Sequence, residues 1–164
     1  MPSGPRRAAR PALPIRAVVD ANIFVSAVLT PGGPPGQVTR ALREGRFELV
    51  ISEPIVQDVA DVLTRPRIMR KYRVPAERID EALLLLRDRG ELVPVTGTVR
   101  MCRDPDDDLV LETALTGHVQ ALVSRDADVT RDPALIAALR ARGVAVLTVQ
   151  QFLEALEAEA RDAT

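Results

Sequence analysis

The chain of 164 residues is 46% hydrophobic and 27% charged, a composition that suits one globular domain with a sizeable core. Its 22 basic and 23 acidic residues leave a formal net charge of -1, so no global basic field exists and any polyanion must be met by a local patch. A single cysteine, Cys102, and a single histidine, His118, exclude an internal disulfide, a zinc site built from several Cys or His, and any Ser-His-Asp relay that bypasses His118.

Residues 1–15 are rich in Pro and Arg and read as a mobile tail without the apolar stretch of a signal peptide. No apolar run is long enough to span a bilayer, and the lone cysteine suits a reducing cytoplasm. A single domain is expected over 16–157, with 158–164 frayed. Within it Ala17–Val19 reads as the first strand and Asn22–Leu29 as a short helix. The segment PGGPPG, Pro31–Gly36, is expected to be an irregular loop. A helix over Gln37–Arg43 and a strand over Phe47–Ile51 follow, and Ser52 then caps a helix with the apolar stripe Ile55, Val59, Val62 and Leu63. Beyond a basic connector, a helix within Pro75–Arg89 stops at Gly90, and Leu92–Val95 is the third strand. Helices over Leu109–Thr116, Pro133–Arg142 and Gln151–Glu159 alternate with strands over Ala121–Ser124 and Val144–Leu147. This alternation predicts an α/β fold, a mainly parallel sheet flanked by helices.

In such a sheet ligands bind beyond the carboxyl ends of the strands. Asp20 ends VVD and Asp126 follows LVSR, so both are expected at that edge. Asp107, just before a helix, and Asp58, one to two turns into the helix after the second strand, join them if the strands are ordered as expected. Converging carboxylates raise one another's pKa and destabilise the fold unless a cation neutralises them. Oxygen donors without imidazole suit Mg²⁺ or Mn²⁺, and a hard ion that keeps waters and binds phosphate suits phosphodiester hydrolysis.

Each acid also has a simpler use. An Asp after a strand often caps the next helix, RDPDDD (Arg103–Asp108) reads as a capped turn, and Asp58 reads as a solvated helix flank. The stretch RPRIMRKYR carries Arg65, Arg67, Arg70, Lys71 and Arg73 with no acid, either an RNA-backbone patch or a solvated connector. Aromatic residues make up 2% of the chain, too few for a base-stacking platform. A phosphatase of the haloacid-dehalogenase type needs a second acid where Asp20-Ala21-Asn22 has Asn22.

The blocks VVDANIFVSA, ISEPIVQDVADVLTRPR, RDPDDDLVLETAL and LVSRDADV, in that order and spacing, resemble the PIN-domain family, in its branch of bacterial toxin-antitoxin toxins. The resemblance implies a PIN-like three-layer fold and a Mg²⁺- or Mn²⁺-dependent ribonuclease leaving 5′-phosphate ends. It further implies a cognate antitoxin protein and a homodimer. By position Asp20, Asp107 and Asp126 match the family's first, third and fourth metal-binding acids. Asn22, Asp104, Asp106, Ser124 and Asp128 stand where polar helpers occur. The departure is Asp58, where the family usually has glutamate, shorter by one methylene or roughly 1.5 Å of reach. That substitution and the crowded acids Asp106-Asp107-Asp108 motivate the alternative, a catalytically weak PIN-like module that binds RNA or protein.

Overall fold

A computed structural model describes residues 14–163, and the expected tail lies outside the described residues up to position 13. The chain runs β1 (Ile15–Val19), α1 (Ala21–Leu29), α2 (Pro34–Arg43), β2 (Phe47–Ile51), α3 (Glu53–Leu63), α4 (Pro66–Tyr72) and α5 (Ala76–Arg89). It continues β3 (Gly90–Leu92), α6 (Pro105–Thr116), β4 (Ala121–Val123), α7 (Ala127–Thr130), α8 (Pro133–Ala141), β5 (Ala145–Leu147) and α9 (Val149–Ala163).

Among the described residues the strands form one five-stranded sheet, β3-β2-β1-β4-β5, parallel throughout. Its central strands are almost wholly apolar because helices cover the sheet: Ala17, Val18, Val19, Leu122 and Val123 have no solvent exposure. Val19 pairs in register with Val123, and Ala17 with Leu49, so residues one step beyond the strands, Asp20, Ser52 and Ser124, share the carboxyl edge. Helix α1 packs on α2, α3 and α5, whereas α6 crosses β1, β2 and β4. Helix α9 closes the core through Phe152, whose ring meets Phe47 edge-on at 5.0 Å between centroids.

Several local expectations are corrected. The Pro/Gly loop is shorter than expected, because Pro34 and Pro35 sit in the first turn of α2, where missing N–H groups cost nothing. Gly36 fits there because a Cβ would collide with the Pro31 carbonyl. The basic connector forms a helix, α4, and the third strand begins at Gly90, two residues before its expected start, and ends at Leu92. Helix α6 starts at Pro105, which places Asp106, Asp107 and Asp108 in its first turn. Helix α9 continues to Ala163, through most of the segment expected to fray. No helix among the described residues is long and apolar enough to cross a membrane.

Candidate functional site

Chain connections leave β1 and β4 toward opposite edges of the sheet, which opens a crevice beyond their carboxyl ends, the usual ligand position in such sheets. Asp20 lies on one side, its backbone N–H donating to the Val123 carbonyl at 3.0 Å. Asp20 occupies the N-cap position of α1 without a close side-chain capping hydrogen bond among the described residues, and the N–H groups of Ala21 and Asn22 at the helix start still act on its carboxylate. Burial raises its pKa above the ordinary carboxylate range, and the charge of Asp126 adds to this, against the lowering influence of the Asn22 N–H and Ser124.

Ser124 ties the two sides together. Its buried hydroxyl donates to Asp20 Oδ2 at 3.4 Å and accepts from the Asp126 N–H at 3.0 Å. Asp126 caps α7, Oδ1 accepting from the Asp128 N–H at 2.9 Å, so capping engages only part of its acceptor capacity.

Asp107 enters from the first turn of α6. It is buried, and its Oδ2 has no hydrogen-bond partner among the described residues. Burial, then the charge and hydrogen bond of Asp126, then the charges of Asp104 and Asp20, push its carboxyl up to about 7. Asp58 lies on α3, exposed, its pKa raised first by partial desolvation and then by Asp106, Asp61 and Asp20. The four acids expected at this edge therefore sense one another's fields through Asp20.

The remaining acids divide. Asp104 caps α6 by accepting from the Asp106 N–H at 2.9 Å, Asp106 is exposed toward Asp58, and Asp128 is exposed in α7. Asp108 is turned away to structural work, its Oδ1 accepting from the N–H groups of Met101 and Cys102 at 2.8 and 2.7 Å. Buried Glu112, one turn on, accepts from Thr96 Oγ1 at 3.0 Å and from the Gly97 N–H at 2.9 Å. Sequence reasoning missed this strap; its signal is the i, i+4 pair of acids on one helical face.

Ser52 does not cap α3 with its side chain. Its hydroxyl meets Thr113 Oγ1 at 2.8 Å, and because Thr113 donates to the Leu109 carbonyl, Ser52 is the donor. This buried pair locks the start of α3 to α6 and so fixes the elements that carry Asp58 and Asp107.

Arg65, Arg67, Arg70, Lys71 and Arg73 on and around α4 are all exposed, and no ion pair engages them among the described residues. The patch starts seven positions beyond Asp58, past the end of α3 at Leu63. His118 lies in a left-handed turn before β4, at the opposite edge of the sheet. Burial, reinforced by Asp108 and Asp107, pushes the Cys102 thiol up to about 12, which leaves it unreactive near neutrality.

Among the described residues no three acidic, His or Cys side chains already close into a metal-ligand set. The chemistry of the donors nevertheless fits a hard divalent ion: carboxylates that repel one another, one with an orphaned buried oxygen. Mg²⁺ in particular takes one or two protein carboxylates and fills its shell with water.

The model of the PIN domain matches residues 16–128, which include every acid of the crevice. The chain belongs to the PIN-domain family. PIN domains have a nuclease-type fold, are generally hydrolases and typically use divalent metals. The chain is also similar to the uncharacterized protein MJ1680 of Methanocaldococcus jannaschii, with 25% identity over 145 residues, 87% of this chain and 92% of that one.

Proposed function

We propose that this PIN domain is a Mg²⁺- or Mn²⁺-dependent endoribonuclease that hydrolyses RNA phosphodiester bonds, acting in the cytoplasm as the toxin of a toxin-antitoxin pair. The observation that carries the reading is the unpartnered, buried Oδ2 of Asp107 among the acids of the crevice. Asp20, Asp107 and Asp126 would hold the ion, with Asp58 contributing from α3 directly or through a water. When bound, the ion supplies Lewis acidity and an acidified water for in-line attack at phosphorus.

The chain's own contribution is orientation. Ser124 fixes the Asp20 carboxylate and the Asp126 backbone, so two acids on different loops keep one relative position. The α6 N-terminus favours charge on Asp107 once repulsion is relieved. Asn22 and the exposed acids Asp104, Asp106 and Asp128 rim the crevice and order its waters. Arg65, Arg67, Arg70, Lys71 and Arg73 engage the RNA backbone, which a chain of net charge -1 must otherwise repel near its acids. The toxin role, the antitoxin that covers the acidic crevice and a homodimer rest on the four ordered sequence blocks.

Purified protein freed of any antitoxin should cut RNA in Mn²⁺ and lose that activity both in EDTA and as Asp20→Asn. Cleavage that survives both controls overturns the reading. A folded protein that binds no Mn²⁺ and cuts nothing supports the binding-module alternative, which the exposure of Asp58 favours.

A further inference from the structure

A second concavity begins where the acidic crevice ends. It is a groove of about 530 Å³ lined by Pro34 and Pro35 of α2, Ser124 and Arg125 after β4, Arg131 after α7, and the Thr148–Gln150 start of α9. Its volume lies within the range of small-ligand sites, roughly 300–1,000 Å³. Ser124 belongs to both places, since its hydroxyl touches Asp20 and the residue is part of the groove lining. The groove thus adjoins the carboxylates through Ser124, and Arg125 in its lining directly precedes Asp126 in the chain.

Its charge is opposite to that of the crevice. Arg125 and Arg131 are exposed, and neither forms an ion pair among the described residues, although Asp126 and Asp128 are near in sequence. The Arg125 guanidinium instead donates to Ser26 Oγ of α1 at 2.7 Å, which holds one cation at a set place on the rim with N–H groups to spare. The α9 N-terminus is already occupied: Thr148 Oγ1 accepts from the Gln151 N–H and Gln151 Oε1 from the Thr148 N–H. Anion binding therefore falls to the two arginines. The rings of Pro34 and Pro35 in the same lining are apolar and carry no N–H donors, and no aromatic residue lines the groove.

We propose that this groove seats the nucleotide next to the cleaved bond of single-stranded RNA, with Arg125 and Arg131 holding its phosphate and the Pro34–Pro35 wall packing against its sugar and base. This seat rests on the nuclease reading, which supplies the bond that is cleaved. Packing against proline rings without aromatic stacking makes that wall tolerant of base identity, and a strand held this way must be unpaired to follow the groove.

The test compares Asp20→Asn with Asp20→Asn/Arg125→Ala/Arg131→Ala, using anisotropy of a labelled eight-nucleotide single-stranded RNA across a salt series in Mn²⁺. Both arginines are exposed, so folding should be retained, and circular dichroism checks it. The arginine changes should weaken binding about tenfold and reduce the log-log salt slope by about 0.7, the share of the one phosphate of a single strand that is no longer neutralised. In parallel, Arg125→Ala/Arg131→Ala in an otherwise intact protein should raise KM for that RNA, while hydrolysis of bis(p-nitrophenyl) phosphate, which has no neighbouring nucleotide, stays unchanged.

Equal affinity and slope overturn the groove assignment while leaving the nuclease reading intact. Equal loss on both hydrolysis substrates also overturns it, since the arginines would then serve the reaction or the fold. If the intact protein hydrolyses neither substrate but the arginine changes still weaken RNA binding, the nuclease reading falls and the groove stands as an RNA seat.

Discussion

Asp107 holds a carboxyl oxygen that is buried and unpartnered, facing Asp126 and Asp20. Its folded pKa of about 7 lies above the roughly 3.9 of an unfolded Asp, so between those values the unfolded chain is ionised while the folded one holds the proton. Metal-free stability should accordingly fall as pH rises from about 4 to about 7, the direction opposite to that of a salt-bridged acid. Asp107→Asn removes this penalty. Thermal melts in EDTA should show the variant more stable than the parent at pH 8 and nearly level at pH 4, with about 2–4 °C for each kcal/mol of repulsion relieved. A variant melting below its parent at pH 8 would mean that the carboxylate is satisfied in the metal-free fold. At this scale the sequence was most legible for acids just beyond apolar strands, Asp20 one position after β1 and Asp126 three after β4, because strand direction alone decides their edge. It did not disclose what Asp108 and Glu112 hold: their i, i+4 spacing marks a shared helical face, but their partners are backbone N–H groups of a loop that leaves no pattern in side-chain type.

Helix α6 joins the acidic crevice to the segment between β3 and α6. Asp108 and Glu112 fasten that segment by its own backbone N–H groups, while Val93, Met101 and Cys102 pack it against the core. Accepting from Thr96 and Gly97 lowers the pKa of Glu112, which sets the sign: this stability is present above the unfolded pKa and is lost as pH falls through the folded one. Glu112→Ala should cost about 1–3 kcal/mol through the unsatisfied N–H groups. Glu112→Gln should cost less and flatten the acid limb of the stability curve, read by urea melts from pH 3 to 6. The α4 element carries a separate expectation. Arg67→Glu with Arg70→Glu should weaken RNA binding and flatten its salt dependence, and an unchanged slope would remove α4 from the interface. Element types were legible here where apolar periodicity is strong, as in α3 and β2. Starts were misread at Pro34 and Pro105, because Pro signals a turn and also suits a first turn, whereas Pro133 opens its helix where expected.

The molecule as a whole sets acids at one sheet edge against the repulsion they generate there, and the core supplies the excess stability that tolerates it. Phe152 docks α9 onto Phe47 with no solvent exposure, and its loss as Phe152→Ala should cost about 3–5 kcal/mol. The strand order was not readable from composition, yet it decides function: only with β1 and β4 adjacent do Asp20 and Asp126, distant in sequence, meet across Ser124. A cation that binds the folded crevice and not the unfolded chain must then raise stability by mass action, about 2.7 kcal/mol at one hundred times its Kd. For a chain of this size that is roughly 5–10 °C in Tm. The gain should grow between pH 5 and 8 as protons stop competing for Asp107, and it should vanish in Asp107→Asn even though that variant is the more stable one in EDTA. The two effects have opposite signs in the same side chain, so a double comparison, parent against Asp107→Asn with and without Mn²⁺, separates metal binding from general stabilisation. If Mn²⁺ raises Tm equally in both proteins, the ion binds elsewhere on the surface and the crevice acids are not its ligands.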